Sequence, residues 1–166
     1  YNKRVQEILD KCNIHMNISI DGFTKETYEK IRVNSDWEKL MKNFKIFWKY
    51  LIEKKSPPSI MVNPMINNWW EMKDAVRFAN KYKSNLWYNT VHHPSHLALH
   101  NLPIEELKDI HKQLKKDLRK LEEEDSYYTR ENTPQDYLEK RYANMGKFKM
   151  FVNNQVVGWI NKEKEV

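Results

Sequence analysis

The chain has 166 residues, of which 40% are hydrophobic and 31% are charged, and its formal net charge is +6. This length suits one domain with its own core, the composition excludes a disordered chain, and no apolar run approaches the roughly 20 residues of a membrane-spanning helix, so we expect no membrane partner. The sequence contains one cysteine, Cys12, which excludes an internal disulfide and favours a reducing, cytoplasmic location.

The first predicted elements are a helix over Tyr1–Lys11 and a strand over Ile14–Ile20. Every second residue of the strand is apolar, so His15, Asn17 and Ser19 share the opposite, polar face. A strand buried on both faces of a parallel sheet is normally apolar throughout. The alternation therefore predicts a sheet with one polar face, which either lines a ligand-filled cavity or is open to solvent.

A turn and a short helix follow this strand. Asp21 and Gly22 interrupt the alternation, and Thr24 is placed to cap a helix that runs to Arg32. An aspartate before glycine usually fixes the turn by accepting hydrogen bonds from nearby backbone N–H groups. A position at the end of a strand would also suit a general base, so both roles are considered for Asp21.

The next helix has the clearest amphipathic pattern in the chain. Ser35 and Glu38 have the spacing of a capping box at its start. Large apolar residues follow at helical spacing, which predicts that this stripe packs in the core. They are Trp37, Leu40, Met41, Phe44, Phe47, Trp48 and Leu51.

The order of strand and helix then repeats twice. A strand over Ser59–Ile66 precedes a helix from Trp69 to about Tyr82, and a strand over Asn85–Val91 precedes a long helix from Pro103 to about Leu121. Three such units in succession predict an α/β fold with a parallel sheet and βαβ connections.

The residues after this region are predicted to form an extension, 126–166, beside a main domain over 1–125. A helix from Thr133 to about Tyr142 opens the extension. The segment Lys147–Ile160 is predicted to form a β-hairpin with its turn at Asn153-Asn154.

Polar side chains follow the ends of all three predicted strands. Ser19 and Asp21 end the first strand, while Asn63 and Asn89 lie near the ends of the second and third. Ligands of α/β folds bind at the C-terminal edge of the sheet. These residues are therefore candidates for a binding site.

Four histidines follow the third strand. His92, His96 and His100 are spaced by four, as metal ligands on one helix face would be, but Pro94 opposes a regular helix there. No carboxylate completes a known zinc pattern, so we predict no metal site. Together with His93, these histidines either line the mouth of a binding site or lie in a surface loop.

Several of these segments resemble the C-terminal half of a radical S-adenosylmethionine enzyme. They are ISIDGFTKETYEKIR, the amphipathic helix after it, SIMVNPMI and LWYNTVHHP. The resemblance spans about Asn13 to Leu121, and SIDG…ETYEKIR is its most specific part. It implies parallel β/α repeats that form the C-terminal half of a partial TIM-like barrel, with the helix and hairpin as an extension.

The resemblance also implies roles for individual residues. In this family a polar residue before the Asp-Gly turn helps to hold the methionyl end of S-adenosylmethionine, and an arginine after the turn meets its carboxylate. Those roles fall on Ser19 and Arg32, and a guanidinium fork does suit a carboxylate. Asn63 and Asn89 are expected to contact the ribose or the substrate, which is a peptide in many families with this signature.

The cluster-binding part of the family is missing from this sequence. Its Cys-x3-Cys-x2-Cys loop is absent, and Cys12 alone cannot hold the [4Fe–4S] cluster that the resemblance implies. The chain is therefore interpreted either as a fragment of a longer enzyme or as a degenerate relative. Its start at Tyr1 rather than Met favours a fragment that is inactive alone.

A non-catalytic α/β binding module is the alternative interpretation. Lysines alternate with glutamates over Lys108–Glu124, which is typical of a solvated helix, and no arginine-rich groove accompanies them. Nucleic acid is therefore the less favoured partner. If neighbouring strands are missing, Ile14–Ile20 is a free edge, and we expect a homodimer through it unless Tyr1–Lys11 covers it.

Overall fold

The computed structural model describes residues 2–12 and 14–162, so Tyr1 of the predicted first helix and residues 163–166 of the predicted extension lie outside the described residues. None of the helices in those two ranges is both long enough and apolar enough to cross a membrane. The α-helices are α1 Lys3–Lys11, α2 Lys25–Ile31, α3 Trp37–Glu53, α4 Met72–Lys81, α5 Ile104–Ser126, α6 Gln135–Met150 and α7 Val157–Lys162. The strands are β1 Asn17–Ser19, β2 Ser59–Val62 and β3 Asn85–Tyr88.

The three strands form one parallel sheet in the order β1-β2-β3. Asn17 pairs with Ser59, and Ser59 pairs with Asn85, so the C-terminal ends of the strands meet at one edge. This confirms the predicted α/β class and the parallel sheet. The second strand ends earlier than predicted because the N–H of Asn63 donates to the carboxylate of Asp21 and because Pro64 has no N–H.

The two faces of the sheet differ in polarity, as the first strand predicted. Residues paired across a parallel sheet point to the same side, so Ile60 and Leu86 lie together on the face that the helices cover, and both are buried. On the opposite side Asn17 and Ser19 are exposed and Trp87 is 43% exposed, whereas Ser59 is buried. We call this side the open face; its strand residues are Asn17, Ser19, Ser59, Met61, Asn85 and Trp87.

Helix α3 packs on α4 through the aromatic stripe that the sequence predicted. The ring of Phe44 lies 5.0 Å from that of Phe78 and 4.7 Å from that of Tyr82. The indole N–H of Trp48 donates to the carbonyl of Tyr82 at 2.7 Å. The cap of this helix differs from the predicted Ser35–Glu38 pair, because the carboxylate of Asp36 accepts the N–H of Lys39 at 2.8 Å.

Helix α6 covers the edge of the sheet that β3 would otherwise expose. The N–H of Leu86 donates to the side-chain oxygen of Asn144 at 2.9 Å. The amide of Asn144 in turn donates to the side chain of Asn80 and to the carbonyl of Ser84. A buried side chain thus takes the place of a fourth strand on this side.

The predicted hairpin over Lys147–Ile160 is wrong, because this segment is helical. Helix α6 continues to Met150, a π-helical segment covers Phe151–Val156, and α7 follows. The side chains of Phe148, Phe151, Val152, Val156 and Ile160 are buried. Their spacing is that of one helix face, whereas Asn153 and Asn154 lie exposed on the other face rather than in a turn.

The C-terminal helices share one core with the β/α units. Leu114 and Leu121 of α5 and Phe148 of α6 belong to the same buried cluster as Ile20 and Ile60. Helices α5 and α6 are both longer than predicted, and the proposed domain boundary at 125/126 falls in the last turn of α5.

Helix α1 is attached to α3 rather than along the free edge of β1. The hydroxyl of Tyr50 donates to the carboxylate of Asp10 at 2.5 Å, and the ammonium group of Lys54 donates to the carbonyl of Leu9 at 3.1 Å. Asn17 and Ser19 of β1 remain exposed.

Candidate functional site

Three polar side chains form a row just beyond the strand ends, on the same side as the open face. The side-chain amide of Asn63 donates to Asp21 Oδ1 at 2.8 Å, and that of Asn89 donates to Asn63 Oδ1 at 3.3 Å. We call Asp21, Asn63 and Asn89 the strand-end row. The structure thus brings together three of the polar residues that the sequence placed at the strand ends.

The carboxylate of Asp21 is fully occupied by hydrogen bonds. Oδ1 accepts both the backbone N–H and the side-chain amide of Asn63, at 3.0 and 2.8 Å. Oδ2 accepts Nε and Nη2 of Arg32, at 3.1 and 2.6 Å. A carboxylate has about four acceptor sites, and those of Asp21, which is 4% exposed, are all used in this arrangement. The predicted turn role is wrong, because the backbone N–H that Asp21 binds belongs to the second β/α unit rather than to its own turn.

A buried glutamate holds the turn after β1 instead. Glu71 is 5% exposed. Its Oε2 accepts the N–H of Phe23 at 2.6 Å, and its Oε1 accepts the hydroxyls of Thr24 and Thr27 at 2.8 and 2.6 Å. Sequence reasoning missed Glu71, although a carboxylate among the large apolar residues Trp69, Trp70 and Met72 was a signal that it has buried partners.

A fully buried asparagine joins the ends of β1 and β2. Asn68 Oδ1 accepts the N–H of Met65 at 2.7 Å, while its amide donates to the carbonyls of Asp21 and Asn63 at 2.7 and 2.9 Å. All three hydrogen bonds are to backbone groups, so the side chain has one fixed orientation. Asn68 therefore fixes the positions of two residues of the strand-end row, a role that no pattern in the sequence indicates.

Gly22 allows the turn to lie directly against α2. A Cβ atom at this position would be 2.5 Å from the backbone N of Tyr28, which is closer than side-chain carbons approach backbone atoms. Glycine is thus required by close approach, and this contact sets the direction in which α2 carries Arg32 back to Asp21.

A cleft opens beside the strand-end row. Its volume is about 430 Å³, within the range of small-molecule sites. Arg32 and Asn63 lie on one side of it, and Thr90, His92 and His93 lie in the segment after β3 that also lines it. A larger cleft of about 700 Å³ lies near the end of α5, but both of its arginines are already in ion pairs, Arg77 with Glu124 and Arg141 with Asp125. We therefore take the strand-end cleft as the candidate site.

The four predicted site residues occupy different positions relative to this cleft. Arg32 and Asn63 line it, and Asn89 contacts Asn63. Ser19 lies on the open face in register with Met61, one same-side position before the strand-end row. Since two residues of a strand span about 6.6 Å, Ser19 is separated from the cleft by that distance along β1.

Arg32 keeps part of its hydrogen-bonding capacity free. Its Nε and Nη2 bind Asp21, its side chain is 39% exposed, and Nη1 has no hydrogen-bond partner within residues 2–12 and 14–162. The pairing with Asp21 fixes the plane of the guanidinium group. Nη1 is therefore a donor of fixed orientation that is free to bind an acceptor in the cleft.

The histidines after β3 divide into two groups. His92 and His93 line the cleft, whereas His96 and His100 lie in two separate 3₁₀ turns, Ser95–Leu97 and Leu99–Asn101, rather than on one helix face. The rings of His92 and His100 are 5.4 Å apart, and that of His100 is 5.8 Å from Trp159. Burial, and then the neighbouring His92, lower the pKa of His100.

Comparisons of the chain with protein-family models, curated proteins and solved structures found no match. The family resemblance therefore remains a proposal, and its support is the chemistry of the site.

Proposed function

We propose that this chain is the C-terminal half of a radical S-adenosylmethionine barrel and that it orients S-adenosylmethionine and the substrate at the strand-end cleft. The observation that carries the proposal is the convergence of Arg32, Asn63 and Asn89 at the C-terminal edge of a parallel sheet with one polar face. In a barrel this face would be the interior.

Each residue supplies one kind of contact. Nη1 of Arg32 donates to the carboxylate of the methionyl group, and the paired Asp21 keeps the guanidinium in place. The amides of Asn63 and Asn89 supply donors and acceptors for ribose hydroxyls or for a peptide substrate. Ser19 contacts the ligand only if the ligand extends from the cleft onto the open face.

The [4Fe–4S] cluster of the family does not fit the residues present here. Cys12 is exposed and precedes β1, whereas the strand-end row follows the other end of that strand. One thiolate does not form the ligand set of such a cluster. We therefore assign no step of radical formation to these residues and propose that the cluster is bound by another part of the same cytoplasmic protein.

The family assignment is tested by the reading frame upstream of the codon for Tyr1. We expect it to encode three cysteines with the spacing Cys-x3-Cys-x2-Cys, preceded and followed by β/α units. An upstream region without this loop would exclude the radical enzyme and leave the non-catalytic module or a degenerate relative of the family.

The site assignment is tested by Arg32→Ala in the protein that includes the cluster-binding part. We expect S-adenosylmethionine to bind more weakly by on the order of 1.5–3 kcal/mol, the scale of a hydrogen bond to a charged group. Isothermal calorimetry measures the difference, with the exposed Arg130→Ala as the matched control. Unchanged affinity in a folded Arg32→Ala protein would remove Arg32 from the site.

A further inference from the structure

The outer face of α5 carries a continuous row of cations. Lys108, Lys112, Lys115, Lys116 and Arg119 are all exposed, and at 3.6 residues per turn they fall within about 100° of the helix circumference. We call these five residues the basic stripe. The stripe lies opposite the buried leucines and isoleucine of α5, so it faces directly away from the core.

Among the acidic residues of the same helix, Glu105 pairs with Lys108 of the stripe, whereas three others bind other elements. Asp117 is buried and pairs with Lys73 of α4 at 3.2 Å. Glu122 pairs with Lys149 of α6 at 2.6 Å. Glu124 pairs with Arg77 of α4. The lysine–glutamate alternation in the sequence predicted a solvated helix face, and these three carboxylates bind residues of other elements.

Four of the five cations of the stripe are left without partners as a result. Lys112, Lys115, Lys116 and Arg119 have no ion pair, hydrogen bond or cation–π contact from their side chains in the part of the chain that the structure describes, while Lys108 pairs with Glu105. The one exposed carboxylate between Lys108 and Arg119 is Asp109. This surface therefore has a high local density of positive charge.

We propose that the basic stripe binds the phosphodiester backbone of a nucleic-acid duplex. From its first to its last residue the stripe spans about 17 Å, at 1.5 Å per residue. A duplex carries one negative charge per about 1.7 Å of its axis. A duplex length of about 17 Å therefore has about ten phosphates, and only some of them, on the nearer strand, face the stripe. Lysine and arginine side chains are the usual partners of these phosphates.

The composition of the stripe favours nucleic acid over the other anionic partners. A protein partner would need apolar or aromatic anchors at the centre of the contact, and the stripe has none. Insertion into an anionic membrane would need an apolar helix face, but the apolar face of α5 is buried in the core. The stripe also lacks aromatic side chains for stacking on single-stranded bases, so the contact is with the backbone and independent of sequence.

The test is the binding of the full chain to fluorescein-labelled duplexes of about 20 base pairs, in RNA and DNA forms, followed by anisotropy between about 50 and 200 mM salt. The test variant is Lys112→Gln/Lys116→Gln/Arg119→Gln. The control, Lys42→Gln/Lys45→Gln/Lys49→Gln, removes three exposed charges from α3. Glutamine has nearly the same helix propensity as lysine and arginine, so both variants should fold.

We expect the stripe variant to bind DNA at least about tenfold more weakly than the control, and the slope of log K against log salt to fall by about 2.7, or 0.9 for each lost phosphate contact. Stronger binding to RNA or to DNA identifies which duplex is the partner. Equal losses in the two variants would show that only net charge matters and would overturn the proposal. The absence of binding at the lowest salt would also overturn it, as would equally tight binding to poly-glutamate of equal charge.

Discussion

Glu71→Ala tests whether the turn after β1 depends on one buried carboxylate. The substitution leaves three donors without their acceptor: the N–H of Phe23 and the hydroxyls of Thr24 and Thr27. A hydrogen bond to a charged group contributes about 1.5–3 kcal/mol, and an unsatisfied buried donor costs about 1–3 kcal/mol. The hydroxyls can rotate to other acceptors whereas the N–H cannot, so we expect a loss of about 3 kcal/mol in the free energy of unfolding rather than the sum of three bonds.

Glu71→Gln gives a more specific version of the same test. The amide keeps a single acceptor oxygen, which can serve either the N–H of Phe23 or the two threonine hydroxyls, but not both. The expected loss is therefore about half that of the alanine variant, or about 1.5 kcal/mol.

Urea denaturation followed by circular dichroism measures both losses, with the exposed Glu131→Ala as the control. We expect the control to change the free energy of unfolding by less than about 0.5 kcal/mol. If Glu71→Ala and Glu131→Ala were equally stable, the carboxylate of Glu71 would not hold the turn after β1.

Three further predictions concern other features of the fold. Gly22→Ala should lower the free energy of unfolding by about 2 kcal/mol, because the new Cβ would meet the backbone of Tyr28 at 2.5 Å; a wild-type urea midpoint would contradict the close approach. Because burial and His92 lower the pKa of His100 below its ordinary value of 6.5, the folded state favours the neutral ring, so stability should decrease as the pH falls below about 6.5. In thermal melts, the stability of His100→Gln should decrease less over that pH range than that of the wild type. An identical decrease would show that other groups cause the pH dependence. The free edge of β1 should support a homodimer, which light scattering at several concentrations measures, and a monomer at every concentration would show that this edge is tolerated.

Much of the architecture follows from local sequence patterns. The alternation over Ile14–Ile20 predicted a sheet with one polar face, and β1 has exposed residues at Asn17 and Ser19. Thr24 caps α2 as predicted, since its hydroxyl accepts the N–H of Thr27 at 3.3 Å. Such features are local because periodicity and capping act between residues a few positions apart.

The hairpin prediction failed because the local turn propensity and the packing of the core favour different structures for this segment. Asn153-Asn154 is a good turn sequence, yet both residues lie on the exposed side of a helix. Burial of Phe148 and Phe151 against the sheet and helices decided the outcome, since a helix places both on the same face.

The partners of the buried polar groups were decided by the tertiary structure alone. Glu71 binds the hydroxyl of Thr24, 47 positions earlier in the chain, and the sequence marks neither residue as the other's partner. The same holds for Asp21, whose four hydrogen bonds come from Arg32 and from Asn63. It also holds for three acids of α5, Asp117, Glu122 and Glu124, which pair with other helices rather than with the basic stripe. A buried polar group must find a partner in the folded chain, and which partner lies within reach depends on how the helices and strands pack rather than on their sequence spacing.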